Sequence, residues 1–129
     1  RIASYSVKST RYTLKELKEA DEYNFSKFLV ATGDSRVDSK SAIGLSVVKS
    51  LLDDGVPNDK VKYLLPEMYK TSLVMTINAR SLQNFIELRS SKSALWEIQD
   101  LAKAMYDAIP TEHKYLFEDY INETNNRQW

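Results

Sequence analysis

A chain of 129 residues is one domain's length and can bury a modest core. Eighteen basic residues balance eighteen acidic ones, so no global field draws nucleic acid or an anionic membrane to it. The absence of cysteine excludes disulfides and thiolate metal sites; no G-x-G-x-x-G fingerprint, zinc spacing, Ser-His-Asp set, internal repeat, signal peptide or bilayer-length apolar run is present, so a soluble cytosolic protein is expected.

In chain order, Arg1–Thr10 is rich in hydroxyls and bases with a single alternating apolar element, and reads as a loop or ragged strand. Ser9-Thr10-Arg11 supplies hydroxyls, backbone N–H groups and a guanidinium within one turn of chain, the materials of a phosphate site; a solvated terminus with scattered bases has the same composition. Thr13-Leu14-Lys15-Glu16 is a capping-box pattern that predicts a helix from there to about Phe28. Ala31–Lys40, ATGDSRVDSK, has the composition of a connecting loop and is expected to be mobile.

Ser41–Asp54 carries Leu45, Val48, Leu51 and Leu52 at helical spacing, with Gly55 placed to end the helix. Pro57 suits the start of a short helix that Pro66 closes, with Lys62 inside it. Thr71–Ile77, TSLVMTI, is short and β-branched, the pattern of a strand.

The stretch Asn78–Ile98 carries the anomaly of the chain. Leu82, Phe85 and Ile86 form a helical apolar stripe, and Arg89 continues it at i+7, so an arginine faces inward or into an interface. No carboxylate lies three or four residues away to offset its desolvation. Arg80 and Asn84 share a second face, and Asn78 stands where the helix begins. Ser90-Ser91 breaks the pattern before a further helix with Leu95, Ile98, Leu101, Ala102 and Met105 on its apolar stripe. Pro110 ends it and a last helix is expected from Glu112 to about Ile121, followed by a frayed tail from Asn122. His113, the single histidine, lies outside every motif, and a lone histidine on an exposed helix is ordinarily structural or idle.

Two of these stretches resemble one family. NARSLQNFIELR followed by ALWEI is similar to the C-terminal signature of the flavin-dependent thymidylate synthases, the ThyX family. RIASYSVKSTRY resembles the family pattern RHRxxSxNxxSxRY entered at its second Arg, with Arg1, Ser4, Ser9, Arg11 and Tyr12 in register. The likeness runs from Arg1 to about Ile98. Because the chain begins inside a motif, it is expected to be the C-terminal part of a longer catalytic domain, here a single domain over residues 1–129, and by itself inactive. There are departures. Ser6 replaces the motif's Asn, Val7 a frequent Glu, Lys62 an Arg, and Ser93 and Leu95 the His and Gln common before WEI.

The resemblance implies an α+β fold, predominantly helical with short strands and not Rossmann-like. It implies a cytoplasmic homotetramer with sites built between subunits, methylating dUMP to dTMP with methylenetetrahydrofolate as carbon donor and FAD reduced by NADPH. It assigns roles residue by residue: Arg89 as the catalytic group that stabilises charge on the uracil ring; Lys8, Ser9, Thr10 and Arg11, with Lys62 from another subunit, as dUMP ligands together with Arg89; Arg1, Val7, Asn78, Ala79, Arg80 and Asn84 as FAD contacts. No metal, nucleic acid or membrane is implied. The absence of cysteine also excludes the thiol route of the other thymidylate synthases. A competing reading is a helical interaction or nucleic-acid-binding module without catalytic activity, in which Arg1, Lys8, Arg11, Lys15 and Lys18, with Tyr5 and Tyr12 among them, contact backbone phosphates.

Overall fold

A computed structural model describes residues 3–122 of the chain. It is mostly helical with one two-stranded sheet, the α+β class expected. Strand β1 (Ala3–Val7) leads through Ser9 into α1 (Thr10–Lys18). A 3-10 segment (Glu22–Phe28), α2 (Ser35–Asp53), α3 (Asn58–Val61) and a 3-10 turn (Lys62–Leu64) follow. Strand β2 (Leu73–Ile77) leads through Asn78 into α4 (Ala79–Arg89), then α5 (Trp96–Asp107) and a 3-10 segment (Thr111–Leu116) close the order. The chain divides into two compact units, Ser6–Val74 forming one and the segments up to Tyr5 and from Met75 the other.

The core of the first unit joins Leu14 and Leu17 of α1, Phe25, Phe28 and Leu29, Leu45, Val48 and Leu52 of α2, and Val61 of α3. The stripe read on α2 is the one buried, with Leu51 half-buried beside it. Gly55 sits at φ 84°, where an L side chain is strained, and its N–H reaches Leu52 O at 3.1 Å, ending α2 as expected.

Three expectations are corrected. Helix α1 begins at Thr10 and not Thr13: the Ser9 hydroxyl accepts from Arg11 N at 3.3 Å, while Thr13 is buried in the first turn with its hydroxyl donating to Thr10 O at 3.1 Å. It stops at Lys18, and the chain to Phe28 is 3-10 with Asn24 off helical geometry (φ −122°, ψ 28°). The reason is tertiary. Leu29 pairs in an antiparallel bridge with Tyr69, Val30 N donates to Met68 O at 2.9 Å, and Lys70 N to Phe28 O at 2.8 Å. The rings of Phe28 and Tyr69 stack 6.4 Å apart.

The loop expected over Ala31–Lys40 ends at Asp34, which caps α2 by accepting from Arg36 N at 2.9 Å. Asp38 in the first turn accepts from Thr32 N (3.0 Å) and the Thr32 hydroxyl (2.7 Å). Those two bonds hold the Asp38 carboxyl below the usual carboxylate range and pin a segment whose composition reads as mobile.

In the second unit α4 packs on α5, with Ile86 and Ala102 buried. The last helix expected over Glu112–Ile121 is instead the 3-10 segment ending at Leu116, because Phe117 leaves helical geometry (φ −124°) and is buried. Residues 123–129 of the expected tail lie outside those described.

Leu45 has no exposed surface at the centre of the first core. Leu45→Ala is expected to cost about 2–5 kcal/mol, as large-to-small changes at unyielding core sites do; denaturant unfolding measures it, and a loss below about 1 kcal/mol would contradict this packing.

Candidate functional site

The first amides of a helix lack intrahelical acceptors, and both strand-to-helix junctions solve this with a side chain. After β1, Lys8 N donates to Ser72 O at 2.8 Å and the Thr71 hydroxyl donates to Lys8 O at 3.4 Å, which fixes where the strand stops. Ser9 then caps α1, and Arg11, the second helical residue, is exposed. After β2, the Asn78 carboxamide oxygen accepts from Ser81 N at 2.8 Å, and again the second helical residue is an exposed arginine, Arg80.

Beside the first junction lies an open cavity of about 490 Å³ lined by Ser9, Thr10, Arg11, Leu14, Asn58, Asp59 and Lys62. Its size falls within the range of roughly 300–1,000 Å³ common for small-ligand sites. Helix α3 and the turn after it deliver Asn58, Asp59 and Lys62, so Lys62 reaches Ser9–Arg11 of its own chain, where the resemblance implied a lysine from another subunit. Two cations face one carboxylate here, a net attraction for an anion. The Lys62 ammonium also stands 5.3 Å from the centroid of the Tyr63 ring.

Lys8 does not line this cavity: its N–H is taken by Ser72 O and its ammonium is paired with Glu16. That pairing also weakens the nucleic-acid reading, for which Lys8 would face solvent phosphates. Asn58 and Asp59 were missed in the sequence. The signal available was a pair of polar residues directly after Pro57, at the opening of the short helix.

Val7 presents an exposed apolar side chain on β1. Ala79, Arg80 and Asn84 are exposed on α4, and the side chains of Arg80 and Asn84 make no hydrogen bond or ion pair among the described residues. Their donors are available to a large polar ligand, which fits the phosphates and amide-like edges of a dinucleotide cofactor. Asn78 is engaged through its oxygen in the cap, leaving its NH2 group. Arg1 lies outside the described residues.

Arg89, expected to face inward or into an interface, is exposed on the last turn of α4 and has no ion pair among the described residues. The stripe it continues is buried at Ile86 and half-buried at Leu82 and Phe85, and it ends in the exposed Arg89. An arginine without a carboxylate partner therefore faces away from its own unit's core. Among the described residues no cluster of three or more His, Asp or Glu side chains is placed to hold a metal ion, and no helix is long and apolar enough to cross a membrane.

The model of the family described as thymidylate synthase complementing protein matches residues 1–113. A flavin-dependent thymidylate synthase of Campylobacter jejuni (strain RM1221) is 52% identical over 129 residues, covering 95% of this chain and 62% of the relative. One from Helicobacter pylori (strain 26695) is 51% identical over 131 residues, covering 94% and 63%. The crystal structure of flavin-dependent thymidylate synthase ThyX from Helicobacter pylori complexed with FAD and dUMP aligns with a TM-score of 0.86 at 50% identity, over 95% of this chain and 64% of that one. The chain spans less than two thirds of the length of these curated relatives. With residues 1–113 matched and a fold shared with ThyX at half identity, the chain belongs to the thymidylate synthase complementing protein family.

Proposed function

We propose that the chain is the C-terminal part of the catalytic domain of a flavin-dependent thymidylate synthase, which converts dUMP to dTMP. The observation that carries this reading is the cavity that gathers Ser9, Thr10, Arg11 and Lys62 from both ends of the first unit, in a member of this family. Support for the ligands comes from the related Helicobacter pylori structure, which holds FAD and dUMP. Methylenetetrahydrofolate as the carbon donor, NADPH as the reductant, a homotetramer and a cytoplasmic setting belong to the same proposal.

The nucleotide phosphate occupies the cavity at the start of α1. Arg11 and Lys62 neutralise its charge, and the hydroxyls of Ser9 and Thr10 and the helix N-terminus add hydrogen bonds to its oxygens. Asp59 disfavours a second anion in the same space and selects for a ligand whose far end is uncharged. Arg80 and Asn84, with the Asn78 NH2 group and the backbone at Ala79, hold FAD. Val7 contributes backbone and apolar surface only, since no carboxylate stands there. When bound, FAD supplies the hydride and one-carbon chemistry, and the protein positions and polarises.

Arg89 lies along the uracil edge and stabilises negative charge that develops on the ring as N3 loses its proton. The absence of a competing carboxylate leaves its full charge for that purpose, and exclusion of water by the bound ligands strengthens it. This accounts for an exposed arginine that continues an apolar stripe.

Two measurements test the assignments in the full-length protein. Arg11→Ala is expected to weaken dUMP binding by roughly 10–100-fold, the worth of a charge-assisted contact to phosphate, while deoxyuridine binding changes little; equal losses for both ligands in calorimetry would refute a phosphate role. Arg89→Ala is expected to lower turnover by about 10²–10³-fold while stability moves by less than about 0.5 kcal/mol, as befits an exposed side chain. Normal turnover of that variant would remove Arg89 from the chemistry.

A further inference from the structure

Arg89 stands at a helix end that its own element does not fix. The last carbonyls of α4 have no intrahelical partner, and α4 ends without glycine. The next residue, Ser90, has no exposed surface. Its hydroxyl donates to Ile86 O at 2.6 Å and accepts from Asn122 N at 2.9 Å and from Asn122 Nδ2 at 3.0 Å, which fills its one donor and both lone pairs. The same Asn122 Nδ2 donates to Glu87 O at 2.9 Å. One side chain, more than thirty residues away in sequence, thus ties the chain on both sides of Arg89. One turn earlier Gln83 Nε2 donates to Leu116 O at 2.6 Å, and Phe117 is buried between these two tie points in the sequence. The segment from Leu116 to Asn122 is therefore a strap fastened along α4.

We propose that Asn122 is a positioning residue for Arg89: the strap sets the last turn of α4 so that the guanidinium is aimed at the nucleotide base without a folding cost at the moment of binding. This rests on the reading of Arg89 as the group that stabilises charge on the ring. The strap lies beyond residue 113, where the match to the family model stops, so the ground for it is the hydrogen bonding of this chain. If the Asn122 carboxamide is removed, the Glu87 carbonyl loses its donor and the buried Ser90 hydroxyl loses one of its two, which loosens the turn carrying Arg89.

The test uses Asn122→Ala and the isosteric Asn122→Asp, which keeps the shape and removes the NH2 donor. In the unliganded protein, hydrogen exchange across Glu87–Ser90 is expected to speed up by about tenfold or more in both variants, as local opening replaces a tied turn. Turnover is expected to fall by about tenfold, the scale of loss when a catalytic group is misplaced without being removed. In an Arg89→Ala background the same Asn122 changes are expected to lower turnover by no more than about twofold, since residues acting as one unit are not additive. Unchanged exchange at that turn, unchanged turnover, or a loss that multiplies equally in both backgrounds would overturn the positioning role while leaving Arg89 in place. Full turnover of Arg89→Ala alone would overturn both.

Discussion

The first amides of α1 and α4 need acceptors where each helix leaves a strand. Ser9 and Asn78 meet it with side-chain oxygens, and in both junctions the residue two further on is an exposed arginine. The pattern is one of division of labour over three positions: the cap residue serves the backbone, the next residue turns the chain into the helix, and the arginine is left to the solvent side. A motif of the form Ser-x-Arg or Asn-x-Arg is thus at once a folding signal and a display of positive charge at the positive end of a helix. Positive potential of this kind is favourably met by an anion or by water.

The first junction has a second wall. Burial of Val61 in the core of the first unit anchors α3, and Asn58, Asp59 and Lys62, which flank that valine in the sequence, line the cavity. The departure from arginine to lysine at position 62 keeps the charge but exchanges a planar fork for a point charge. Arg11 then remains the one residue of the cavity able to bind two phosphate oxygens side by side. The polar character of the cavity follows from core packing as much as from the residues that line it.

Much of this was legible in the sequence. The stripe of Leu45, Val48 and Leu52, the stop at Gly55, the strand before Asn78 and the helix after it all follow from spacing and composition, and the motifs at Ser9–Arg11 and Asn78–Arg89 pointed to the family. What escaped was decided by contacts distant in sequence. The capping-box pattern at Thr13 competed with a plain cap at Ser9, and the hold of Thr71 and Ser72 on Lys8, just past the end of β1, favoured Ser9. The apolar spacing of Phe25 and Phe28 suits a helix, yet the bridge between Leu29 and Tyr69 draws that stretch into 3-10 geometry. Two bonds from Thr32 to Asp38 order a segment that composition alone marks as loose. Spacing set Arg89 on the stripe of Leu82, Phe85 and Ile86 and so predicted an inward or interface position, yet Arg89 is exposed while Ile86 is buried, because periodicity does not say where along a helix its cover ends.

In the proposed function the two arginine-bearing junctions and Arg89 serve one nucleotide and one flavin. The most direct measurement is the visible absorption spectrum of the purified full-length protein followed through a titration with dUMP. A flavin spectrum that shifts and saturates as dUMP is added is the result predicted, because both ligands then share one site. A protein that takes up no FAD, or whose flavin bands are indifferent to dUMP at saturating concentration, would contradict it and leave the shared fold without the shared chemistry.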